Sequence, residues 1–135
     1  MKTKIVIYTL ILAFVFVSFI GCTLGPVEIE EIVVCKNVDD TGKPIEPMDT
    51  FPSGTQIVHV SIKINNMASE DKITTKWNYL ETVEEIDTVD FTTEESGSGY
   101  ISFNLATDLG FPSGRYNIVV YLNNELIETV EYSIE

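Results

Sequence analysis

Basic residues are scarce in this chain: 8 Lys and Arg stand against 21 Asp and Glu, for a formal net charge of -13. Without a cluster of cations no surface patch can neutralise phosphates, which argues against nucleic acid and anionic headgroups as partners. Histidine is equally thin. The single His59 falls mid-strand beside Ser61 and Lys63, with no nucleophile motif near it, and reads as a solvated strand residue. Ser53 and Ser113 lie in Pro-Ser-Gly turns, which lack the strand-to-helix context of a nucleophile elbow. There are only two cysteines, Cys22 and Cys35, and one of each metal-preferring residue type in strands does not make a catalytic metal centre. Acid-rich turns such as Asp39-Asp40-Thr-Gly42, and the group Glu84-Glu-Ile-Asp87 with Asp90, lack the alternating spacing of an EF-hand loop. The expectation is no catalytic residue, no metal site and no cofactor. Long amphipathic helical patterns are also missing, and length allows one domain.

What is present begins with an address. Lys2 and Lys4 precede an apolar run from Ile5 to Ile20 that closes on Gly21-Cys22, the layout of a signal peptide. At 16 residues the run is short of the roughly 20 that span a hydrocarbon core, so cleavage is favoured over a permanent span. Phe19-Ile-Gly-Cys22 resembles the lipobox of prokaryotic lipoproteins, although Phe19 stands where leucine is usual. The resemblance implies that Cys22 is the lipidation site and the mature N-terminus. An uncleaved N-terminal anchor is the alternative, and either arrangement leaves the domain membrane-anchored on the extracytoplasmic side, at the cell surface or in the periplasm. Loss of residues 1–21 would remove two lysines and no acid, taking the charge from -13 to -15. Cys35 would then have no cysteine to pair with. A Cys22–Cys35 bridge is open only if Cys22 is not lipidated.

After a tether over 22–30 the pattern is that of strands. Alternation marks 31–38, 57–64 (Val58, Val60, Ile62 and Ile64 on one face), 73–79 (with Trp77) and 100–105 (Ile101, Phe103, Leu105). The stretch 44–52 reads as a loop. Residues 80–93 are ambiguous between a helical turn and a strand near 89–93, and the strand is preferred. The chain closes on a hairpin, in which Ile118, Val120 and Leu122 alternate and Asn123-Asn124 supplies the turn before Val130, Tyr132 and Ile134. Phe51-Pro-Ser-Gly54 recurs as Phe111-Pro-Ser-Gly114 at the entry to two buried strands, a repetition that similar corners would select independently.

Seven strands over 31–135, a Trp in the third, and Pro-Ser-Gly-Arg-Tyr116-Asn-Ile118-Val-Val120 opening the sixth resemble the immunoglobulin and fibronectin type III class of antiparallel β-sandwich. That resemblance implies a structural role for Trp77 in the core, and for Tyr116 in a corner hydrogen bond to the 109–114 turn. The chain also resembles small single-domain surface lipoproteins of prokaryotes. On the outward face of the sixth strand Val119 and Tyr121 form a possible interface, beside Lys76 and Asn78 if the third strand is its neighbour. Packing of those residues on the tether or on the 44–52 loop is the alternative. The function expected is a lipid-anchored binding or assembly module of the cell envelope, with a protein partner, held to the membrane by its lipid and not taking nucleic acid. The alternatives are a carbohydrate-binding module using Tyr121 and Tyr100, or a small envelope hydrolase using carboxylates.

Overall fold

The computed structural model describes residues 11–20 and 25–135, with Val15 the one side chain described in the first segment. The strands are β1 Ile11–Ile20, β2 Glu28–Val38, β3 Pro44–Pro47, β4 Thr50–Phe51, β5 Ile57–Met67, β6 Lys72–Tyr79, β7 Glu84–Thr92, β8 Gly97–Thr107, β9 Gly114–Leu122 and β10 Glu125–Ile134. No helix occurs among the described residues. One sheet has the order β1-β8-β5-β2-β3 and the other β4-β10-β9-β6-β7. Every pairing is antiparallel except the two-residue contact of β4 with β10.

Nine strands, not seven, lie between Glu28 and Ile134. The additional ones are β3 and β4, inside the stretch expected to be a loop. Pro44, Pro47 and Pro52 argue against a central strand, but these are short edge strands, where a missing N–H is tolerated. β2 starts at Glu28, inside the expected tether, with Glu28 opposite Asn65 on β5. The ambiguous 80–93 stretch holds the full-length strand β7. Its register jumps from Trp77 opposite Asp87 to Asn78 opposite Glu85, which leaves Ile86 as a bulge residue. The bulge puts Ile86 and Val89 on the core side three residues apart, which mimics helical spacing in sequence.

Alternation dictates the core. Val58, Val60, Ile62 and Ile64 of β5 and Ile101, Phe103 and Leu105 of β8 face Ile73 and Trp77 of β6 and Tyr116, Ile118 and Val120 of β9, all buried. Trp77 is 1% exposed, and its indole N–H donates to the hydroxyl of the buried Thr75 at 3.0 Å. Asn123 and Asn124 both take positive φ, 53° and 69°, as a tight hairpin turn between β9 and β10 requires. Strand β1 covers the outer edge of β8, and Val15 packs against the core opposite Phe103.

The two Phe-Pro-Ser-Gly corners meet at one end of the sandwich. Phe111 N–H donates to Thr55 C=O at 2.9 Å, and the Gln56 side-chain amide donates to Asp108 C=O at 2.8 Å. Phe51 sits edge-on to Tyr132 and Phe111 edge-on to Tyr116, each at an interplanar angle of 79°. The Tyr116 hydroxyl donates to Pro112 C=O at 2.5 Å, within the 109–114 corner, and the Tyr79 hydroxyl donates to Ser113 C=O at 2.6 Å. Burial pushes the Tyr116 hydroxyl well above the ordinary tyrosine range.

Candidate binding surfaces

The outer face of β6 and β9 carries the residues singled out as an interface. Lys76 is opposite Val119, Thr74 opposite Tyr121 and Asn78 opposite Asn117. Val119 and Tyr121 are half-buried. Tyr121, Thr74, Lys76, Glu85, Thr88 and Asn124 line a shallow groove of about 270 Å³. The stretch 44–52 contributes nothing to that lining: β3 and β4 lie at the far edges of their sheets. Lys76 Nζ is 3.8 Å from a Glu85 carboxylate oxygen, and the Asn78 amide donates to the Asn117 carbonyl oxygen at 2.8 Å. An aromatic ring thus sits among exposed hydrogen-bonding groups with one ion pair, a surface suited to a polar, non-covalent contact.

Tyr100 is not part of this surface. It lies on β8 in the other sheet, opposite Lys63, and the turn at Gly42 packs against its Cβ. The two tyrosines considered for sugar stacking therefore occupy different sheets and form no common platform.

Register also brings together residues that sequence spacing could not connect. Cys35, His59 and Asn104 lie in one cross-strand row over β2, β5 and β8. The row has the composition of a thiol protease centre and the opposite electrostatics. Cys35 is fully buried, and desolvation pushes its thiol up to about 11. Burial holds His59 below its ordinary value, and its Nδ1 is buried with no hydrogen-bond partner among the described residues. An activated thiolate needs a lowered thiol and a charged imidazole, and here both groups are held neutral. His59 is thus a half-buried residue, not the solvated one expected from its polar neighbours.

Asp39 caps its own turn, accepting from Thr41 N–H at 2.8 Å, the Thr41 hydroxyl at 2.7 Å and Lys43 N–H at 3.0 Å, and these contacts hold it below the usual carboxylate range. The Asp90 carboxylate accepts from the Thr74 hydroxyl, and that of Glu85 from the Thr88 hydroxyl. Among the described residues no three His, Cys, Asp or Glu side chains gather as a metal site would require. Cys22, the lipidation site expected from the sequence, lies outside the described residues.

No family model matches the sequence, and no curated protein does either. Solved structures do. An immunoglobulin-like protein from Pseudomonas aeruginosa superposes with a TM-score of 0.51 at 10% identity, over 84% of this chain and 95% of its own. The fold is an immunoglobulin-like sandwich. The alkylpurine DNA glycosylase AlkC of Pseudomonas fluorescens, bound to DNA containing an abasic site analogue, matches with a TM-score of 0.50 at 15% identity. That match covers 81% of this chain, which spans only 30% of the glycosylase. At such identity the likeness concerns the fold alone.

Proposed function

We propose that this protein is a lipid-anchored, extracytoplasmic binding or assembly module of the cell envelope. In this reading residues 1–21 are a signal segment, Cys22 carries the lipid, and the sandwich, of the immunoglobulin or fibronectin type III class, contacts a protein partner without catalysis or cofactor. The observation that carries the binding role is the β6–β9 outer face, where Tyr121 stands in a groove of hydrogen-bonding side chains and half-buried Val119 lies opposite Lys76 on the same sheet. The address rests on Lys2, Lys4, the apolar run and Gly21-Cys22. An acidic surface fits a tethered domain that must stay soluble and draws nothing to it by phosphate contact.

Metabolic labelling with a tagged fatty acid tests the address: label should enter the full chain and be lost in Cys22→Ser. Label retained in that variant, or a mature mass that includes residues 1–21, would show the assignment to be wrong. For the surface, Tyr121→Lys should weaken partner binding while leaving the urea midpoint close to wild type. Binding untouched by that change would remove the β6–β9 face from the function.

A further inference from the structure

Each sheet has two edges, and three of the four strands there carry devices that discourage further pairing. β3 has four residues and begins and ends with proline, and β4 has two residues and is followed by Pro52. β7 carries Glu84, Glu85, Asp87 and Asp90 in nine residues. The fourth edge strand is β1, and β8, the strand beneath it, is built differently. β8 runs for 11 residues, Gly97–Thr107, with no charge and no proline, in a chain that has 8 basic and 21 acidic residues. In the structure this strand is not bare: Ile11–Ile20 lies on it in an unbroken antiparallel register, from Ile11 opposite Thr107 to Ile20 opposite Ser98. The covering strand is likewise free of charge and proline, and its Val15 packs on the core opposite Phe103. The seat is therefore a ladder of backbone groups with an apolar side beside it.

We infer that β8 is a strand-receiving edge. In the exported protein, cleaved before Cys22, an extended uncharged apolar segment of a partner protein pairs antiparallel with Gly97–Thr107, where Ile11–Ile20 lies in the full chain. The inference rests on the export reading above, because cleavage is what vacates the seat. Without β1, the outward backbone groups of β8 lose their partners and the core beside Phe103 loses Val15, leaving a long uncharged edge of the kind that natural sheets protect unless it is used. A second copy of this chain is the poorer occupant. Two β8 strands side by side and antiparallel bring Glu94 and Glu95 of each copy to the Asp108 end of the other, and each mature copy carries a strong negative charge. The occupant that fits has about ten residues, β-branched and aromatic in the manner of Ile11–Ile20, and no acid.

The test uses the lipoprotein purified from membranes of cells expressing the full chain. Intact mass first establishes whether it begins at Cys22. Hydrogen exchange of the β8 amides is then followed with and without a synthetic peptide of residues 11–20 carrying terminal lysines for solubility. A second peptide has Val15→Pro and Val17→Pro and cannot complete the ladder. The expected result is exchange slowed about tenfold or more over Gly97–Thr107 by the first peptide, no slowing by the second, and unchanged rates in β7. Equal exchange with both peptides, in protein confirmed to begin at Cys22, overturns the inference and leaves the export reading standing. A mass that retains residues 1–21 overturns both. A dimer whose β8 amides are protected before any peptide is added makes the second copy the occupant and overturns the partner strand.

Discussion

Tyr116 and Tyr132 stack nearly parallel, with ring centroids 5.1 Å apart and planes 7° from one another, yet only one of the two buried hydroxyls is bonded. Tyr116 donates to Pro112 C=O, whereas the Tyr132 hydroxyl has no partner among the described residues. Equal chemistry at the two positions should therefore have unequal consequences. Tyr116→Phe strands a carbonyl and should cost about 1 to 3 kcal/mol, while Tyr132→Phe removes an unsatisfied polar group and should be neutral or stabilising. Urea unfolding of the two variants reads the difference, and equal losses would contradict it.

The repeated corners predict a second asymmetry. Gly54 has φ +92° and nothing within 4 Å of a built Cβ, so Gly54→Ala meets backbone strain alone, on the order of 1 to 2 kcal/mol. Gly114 has φ +139°, and a Cβ there would lie 2.6 Å from Glu81 Cγ and 3.0 Å from the Tyr79 ring. Gly114→Ala should be the more damaging by a clear margin in thermal unfolding. Equal midpoints for the two alanine variants would refute this.

His59 provides a pH signature. Burial lowers its folded pKa below the unfolded value near 6.5, so the unfolded chain binds the extra proton. Stability should thus fall as pH drops through 6.5 and continue to fall until the folded pKa is reached. Carboxylates held low in the fold, such as Asp39 and Glu81, act in the same direction but below about pH 4.5. Replacing the ring by His59→Gln should flatten the slope between pH 7 and 5.5, and an unchanged slope would assign it elsewhere.

Cys35 should be inert in the native protein. A fully buried thiol with its pKa pushed up to about 11 presents almost no thiolate at pH 8. In Cys22→Ser, a thiol reagent should label nothing until urea is added and then one site. Rapid native labelling would mean that the β2–β3 cover opens.

Alternation made β5, β6 and β9 legible, because each buries one face completely and a period of two follows directly. Where a strand bulges or is short, that signal breaks. Ile86 interrupts the period of β7, and the two prolines of β3 are tolerated only because that strand lies at an edge, a fact of topology and not of composition. The same limit hid the row of Cys35, His59 and Asn104, since cross-strand neighbours follow from register. The likeness of the two Phe-Pro-Ser-Gly corners was plain as text, but not that their phenyl rings flank one stacked tyrosine pair. At the candidate surface, the adjacency of Lys76 to Val119 followed from placing the third strand beside the sixth. The contribution of Glu85 and Asn124 to the groove did not, since it depends on β7 and the turn lying beside them.

Neither sheet is built from a continuous length of chain. Val60 must find both Val34 and Phe103, and Trp77 must find Ile118, so a nascent chain that has emerged only through β7 has completed neither layer. Most contacts join residues far apart in sequence and await loop closure, which places folding in the slow class of β-sandwiches, roughly milliseconds to seconds. For a protein we propose to be exported, that delay has a use. In that reading the polypeptide would stay threadable until β8 to β10 emerge, and compaction would be deferred to the far side of the membrane.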